Sequence, residues 1–121
     1  MTRKQLVEKL DTLVSIYIRK RDRRCVVCGS TENLTNGHIF SRTHFTTRWH
    51  IGKAGNCHTQ CWSCNFKHTH DTVPYFNWYI NKFGKAKFDA LYREWNQGSR
   101  VSDKQMKEMI EVVKERLSEL E

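Results

Sequence analysis

The sequence predicts a small α+β domain, with a cysteine-stapled, strand-bearing middle set between one N-terminal helix and several C-terminal helices. Three observations carry this. Apolar residues recur at helical spacing on both sides of the middle, residues 25–64 lack any helical period, and two Cys-x-x-Cys pairs bracket that stretch. One domain accommodates all 121 residues, divided as a basic helix (1–24), a metal-stapled core (25–72) and a helical C-terminal part (73–121).

The first helix follows from Leu6, Leu10, Leu13 or Val14, and Tyr17, and runs into the basic stretch Arg19-Lys20-Arg21-Asp22-Arg23-Arg24. That stretch suits either a solvated helix end, where cations meet the negative end of the dipole, or a nucleic-acid contact. Residues 25–64 are rich in Gly, Asn, Thr and His. Short pieces such as Gly37-His38-Ile39-Phe40 read as strands of a hairpin with a long connection. Regular helix is expected to return after Cys64. Pro74 near a helix start, then Tyr75, Phe76, Trp78, Tyr79 and Phe83 before Gly84, mark a short aromatic helix with a glycine stop. Phe88, Leu91, Tyr92 and Trp95 line the next, which ends near Gly98; aromatics at this spacing form core more often than they stack on bases. Ser102 and Gln105 form a capping box opening the last helix. Its apolar face, Met106, Met109 or Ile110, Val113, Leu117 and Leu120, is either core or a dimer surface.

Cys25-Val26-Val27-Cys28-Gly29 and Cys61-Trp62-Ser63-Cys64 are two knuckles. Two intervening residues let one turn present both sulfurs to one ion, and two such turns complete a closed, structural four-cysteine zinc site. Only 38% of residues are hydrophobic, and a core this modest commonly needs such a staple. An odd cysteine count argues against a disulfide framework, and Cys57 reads as a small buried residue. The gap between the knuckles is long for a compact zinc ribbon, so further machinery is expected inside it.

The net charge is +8, and it is uneven. Residues 103–121 carry −2, which leaves +10 on residues 1–102. A basic body points to a polyanion. No stretch reads as an export, membrane-spanning or lipidation signal, so nucleic acid in a reducing, cytoplasmic setting is expected rather than a membrane.

Within and just after the insertion lie His38, Asn56, His58, Asn65, His68, His70 and Asp71. Phosphodiester hydrolysis needs a base to activate water and a cation to neutralise charge on the phosphate and the leaving oxygen. Histidine titrates near neutrality, and asparagine either orients an imidazole or lends an oxygen to a hard cation. Taken singly, each is more often a surface or capping residue.

Their order changes the weighing. Cys-x-x-Cys, Gly37-His38, Asn56 five residues before Cys61, the second Cys-x-x-Cys and then Asn65 together resemble an HNH (ββα-metal) nuclease core on a zinc-knuckle scaffold. Tyr17-Ile18-Arg19-Lys20-Arg21-Asp22, Gly37-His38-Ile39, Arg48-Trp49, Asn56-Cys57-His58-Thr59-Gln60-Cys61, Cys64-Asn65, Val73-Pro74-Tyr75 and Gly84 resemble the phage NinG/Rap recombination endonucleases more closely, from about residue 6 to 120.

The resemblance implies a metal-dependent endonuclease for branched DNA, Holliday junctions or D-loops, encoded by a phage or prophage in a bacterial host. His38 would be the general base, Asn56 would fix the hairpin and His38, and Asn65 would ligate a catalytic Mg²⁺ or Mn²⁺. Many HNH enzymes carry Asp or His where this chain has Gly37, which leaves the second protein ligand open. His68, His70 and Asp71 either supply it or cap the following helix, and His58 is either a ligand or a hydrogen-bonder. Arg19, Arg21, Arg23, Arg24 and Arg48 are the expected DNA contacts. Paired nicks at a four-way junction would call for a homodimer. Two other readings stay open: an HNH nickase on linear duplex, and a non-catalytic zinc module that only binds DNA. The latter has no need of a base and a hard-metal ligand together.

Overall fold

In a computed structural model covering residues 1–121, the capping box of Thr2 and Gln5 opens helix α1 (Arg3–Asp22). Its buried face, Leu6, Leu10, Val14, Tyr17 and Ile18, packs against Met106, Ile110 and Val113 of the last helix. That helix spans Asp103–Glu119 behind the expected Ser102/Gln105 box. Apart from exposed Leu120, its apolar stripe is therefore core. Arg3 donates to the Asp103 carboxylate at 2.6 Å and to the Val101 carbonyl, joining the two helix starts.

Strands β1 (Leu34–His38) and β2 (Cys57–Cys61) pair antiparallel, with Leu34 opposite Cys61 and His38 opposite Cys57. A two-stranded ribbon is marginal alone. Here every β2 residue is buried, and helix α1 braces the strand: the Thr59 hydroxyl donates to the Ile18 carbonyl and the Thr59 amide to Asp22, each at 2.9 Å. The strand connection carries helix α2 (Phe45–Arg48), a short turn that the irregular sequence of this region did not announce.

Helix α3 (Trp62–His68) begins inside the second knuckle rather than after Cys64. The reason is the cap: the Cys61 sulfur accepts from the Cys64 amide at 3.5 Å, so the metal-binding turn is also the first helical turn. Helices α4 (Val73–Phe83) and α5 (Lys85–Gln97) meet at Gly84, whose φ of 93° favours glycine, and α6 is the Asp103 helix described above. The aromatic stripes of α4 and α5 form a second core. Phe40, directly after β1, inserts its ring among Phe76, Phe88, Tyr92 and Trp95 at 5.2–5.8 Å. No helix is long and apolar enough to cross a membrane.

Candidate active site and metal centre

The knuckles converge. The sulfurs of Cys25, Cys28, Cys61 and Cys64 all lie within 4.8 Å of one another. Those of Cys28 and Cys61 are 3.7 Å apart, close to the roughly 3.8 Å that a tetrahedron with Zn–S bonds of about 2.3 Å requires. These four residues could hold one zinc ion with no open position, which makes the site structural. Burial alone would raise the Cys25 thiol, but backbone N–H groups of Cys28, Cys61 and Val27 bring it down to about 7, towards the thiolate a metal needs. Cys57 stands apart. Its buried thiol donates to the Arg48 carbonyl at 3.2 Å, and burial pushes it up to about 12.

A cavity of about 570 Å³ opens at the end of β1, lined by Asn36, His38, Arg42, Asn65, His68 and Trp95 among others. Strand periodicity puts Asn36 and His38 on one face of β1, and helical spacing puts Asn65 and His68 on one face of α3. His38 donates from Nε2 to the Arg48 carbonyl at 3.0 Å. A carbonyl only accepts, so Nε2 carries the proton and Nδ1 keeps its lone pair. Burial, with further contributions from the Arg42 and Arg48 cations, lowers its pKa to about 4 against the opposing pull of that hydrogen bond.

Asn65 is oriented by a relay. Its Nδ2 donates to Thr35 Oγ1 at 3.0 Å, while the Thr35 hydroxyl donates to the Gln60 carbonyl at 2.8 Å. The Asn65 amide is thus held by its nitrogen end, which leaves Oδ1 free. His68 donates from Nε2 to the Ile39 carbonyl at 2.9 Å, and its buried Nδ1 has no partner. Asn36 Oδ1 is likewise buried without a partner. Asn36 was absent from the sequence-derived set, although its position two residues before His38 in a strand carried the signal.

Asn56 plays a different part. Fully buried, it accepts from the Phe40 amide at 2.8 Å and donates to the Phe40 carbonyl at 2.9 Å, clamping the chain just after His38. It touches nothing in the cavity, so it is a positioning residue. His58 is also buried: Nε2 donates to the Gly55 carbonyl at 2.7 Å, Nδ1 faces Arg21, and burial lowers its pKa to about 4. That makes it a hydrogen-bonder and not a ligand. Two roles were open to His70 and Asp71, and the structure places neither residue in the cavity. The chain turns after His68, leaving His70 exposed against Phe66, and the Asp71 carboxylate accepts from the Val73 amide at the start of α4. Neither lines the cavity. Gly37 has its own reason: a Cβ there would lie 2.2 Å from Gln60 Oε1, so the space for a side chain is already filled.

Two of the five expected DNA-contact arginines are engaged internally. Arg48 makes a two-point pair with Asp11 at 2.6 and 2.9 Å. Arg21 binds Asp22 and the carbonyls of Ile51 and Cys57. Arg23 and Arg24 are exposed, and Arg19 is half-buried with its Nε on the Ser15 carbonyl and hydroxyl.

Fold and site together define a small α+β protein with a four-cysteine cluster that could hold zinc, and with a histidine–asparagine cavity. The chain belongs to the NinG family: the family described as bacteriophage Lambda NinG protein matches residues 1–121. No curated protein and no solved structure matches it.

Proposed function

We propose that this protein is a metal-dependent DNA endonuclease in which His38 activates water for attack on a phosphodiester. One observation carries the reading: His38, whose Nδ1 lone pair is set by the Arg48 carbonyl, shares a cavity with Asn65, whose Oδ1 is left free by Thr35. Nδ1 takes the proton of the attacking water, and burial keeps the imidazole neutral at physiological pH, with Nδ1 unprotonated.

Three neutral donors along this cavity would suit a divalent cation. Asn65 Oδ1, the partnerless Asn36 Oδ1 and the partnerless His68 Nδ1 are neutral donors, and the His68 N–H to a backbone carbonyl is the usual support of a ligating imidazole. A cation held there would supply charge neutralisation at the phosphate and the leaving oxygen. With an imidazole and no carboxylate among the donors, Mn²⁺ suits the site better than Mg²⁺. Exposed Arg42, at the cavity rim, joins Arg23 and Arg24 as a phosphate contact.

Branched DNA is the proposed substrate on the strength of family membership and the basic body. Phosphate contacts alone bind any DNA and weaken with salt, so preference must come from shape. The test is incubation of labelled four-way junction and matched duplex with Mn²⁺, Mg²⁺ or EDTA near physiological salt. Metal-dependent cutting that favours the junction is expected. Equal nicking of the duplex would replace the junction reading with a general nickase, and metal-dependent cutting of neither would leave a DNA-binding module.

A further inference from the structure

Trp62 and Phe66 of α3 are 60% and 56% exposed, yet they stack on one another, with ring planes 8° apart and centroids separated by 5.3 Å. The other three tryptophans are absorbed into the two cores. Folding gains little from large aromatic rings left in water, and such a patch marks a binding surface. Three features say what covers it. Asn65 and His68 of the same helix line the His38 cavity, and Trp62, three residues before Asn65, is its neighbour on the helix surface about 60° around the axis. A chain-like ligand seated in the cavity has the stack next to it on the same helix. Residues 61–70 include the exposed cation Lys67 and no acid, which suits a polyanion; Glu32, beside Trp62, is the one carboxylate lining the neighbouring cavity. Finally, paired exposed ring faces match the π-face that every unpaired base presents.

We infer that Trp62 and Phe66 form a stacking platform for unpaired bases of the DNA strand whose phosphate enters the His38 cavity. This rests on the nuclease reading for the identity of the polyanion, and it supplies what phosphate contacts lack: a means of favouring DNA whose bases are splayed from the stack over intact duplex.

The probes are a fluorescein-labelled oligothymidylate and a hairpin-closed duplex of equal length, titrated in EDTA so that cleavage plays no part. Wild type, Trp62→Ala, Phe66→Ala and the stacking-competent Trp62→Phe are compared. Each alanine variant should lose roughly tenfold in affinity for the single strand, with duplex affinity changed less than about twofold, and Trp62→Phe should retain most of the binding. Equal losses on both probes, or no loss on either, would overturn the platform. Loss of self-association in sedimentation with DNA affinity intact would overturn it in favour of a second copy of this chain. If wild type cuts junctions and the alanine variants bind single strand normally, only the platform fails. If the platform behaves as described but no DNA is cut, only the nuclease reading fails.

Discussion

The Nε2–H of His38 donates to the backbone carbonyl of Arg48 at 3.0 Å, across the connection between the two strands. The imidazole is therefore the Nε2–H tautomer, with Nδ1 as its basic atom. ¹⁵N chemical shifts of the His38 ring should report protonated Nε2 and bare Nδ1 at neutral pH, with no protonation until about pH 4. A titration midpoint near the ordinary 6.5 would show the ring to be solvated. The same depression has a cost in acid. His38 and His58 are held below their unfolded value, so the unfolded chain takes up their protons first. Stability is full above about pH 6.5 and is lost as pH falls towards about 4, which urea midpoints at neutral and acid pH would register.

Metal removal should unfold the middle of the molecule. The Cys61 sulfur both joins the four-cysteine cluster and caps α3, the helix that carries Asn65 and His68. Cys61→Ser, or exhaustive chelation, should lower the melting temperature sharply and remove one zinc per chain by elemental analysis. Cys57→Ser should leave zinc content unchanged.

Asp11 reaches the site indirectly. It holds Arg48 through two hydrogen bonds and Trp49 through Nε1 at 2.9 Å, fixing the segment whose carbonyl grips His38. Asp11→Ala should destabilise the fold by about 1–3 kcal/mol in chemical denaturation, since charged partners are left behind. Arg48→Ala should act mainly through the same stability loss, with DNA affinity of the folded protein nearly unchanged.

Thr35 should tune metal use without touching the metal. Thr35→Val removes the acceptor that orients the Asn65 amide. The Mn²⁺ concentration giving half-maximal cleavage should rise about 10-fold or more, with the melting temperature changed little. An unchanged metal requirement would mean that Asn65 is oriented by something else.

Much of this architecture was legible in the sequence, because its signals are local. Leu6, Leu10 and Val14 announce one buried helix face, Ser102 and Gln105 announce a helix start, and paired Cys-x-x-Cys turns announce one four-sulfur cluster. What escaped depends on the path of the chain in space. That Arg48 is bound to Asp11, and Arg21 to the carbonyls of Ile51 and Cys57, follows from packing of the 45–57 segment on α1, and no spacing encodes it. His68 reaches the cavity while His70 and Asp71 do not, because the helix ends between them. Asn36 differs: its place two residues before His38 in β1 puts it on the same face, a signal the strand's two-residue period carries.

The most direct test of the central claim is single-turnover cleavage of a labelled four-way junction by wild type and His38→Ala, at saturating Mn²⁺ and matched zinc content and DNA occupancy. Loss of the general base should slow cleavage by about 10²–10⁴-fold while binding is retained. A His38→Ala protein that cuts within a few-fold of the wild-type rate would show that the base lies elsewhere.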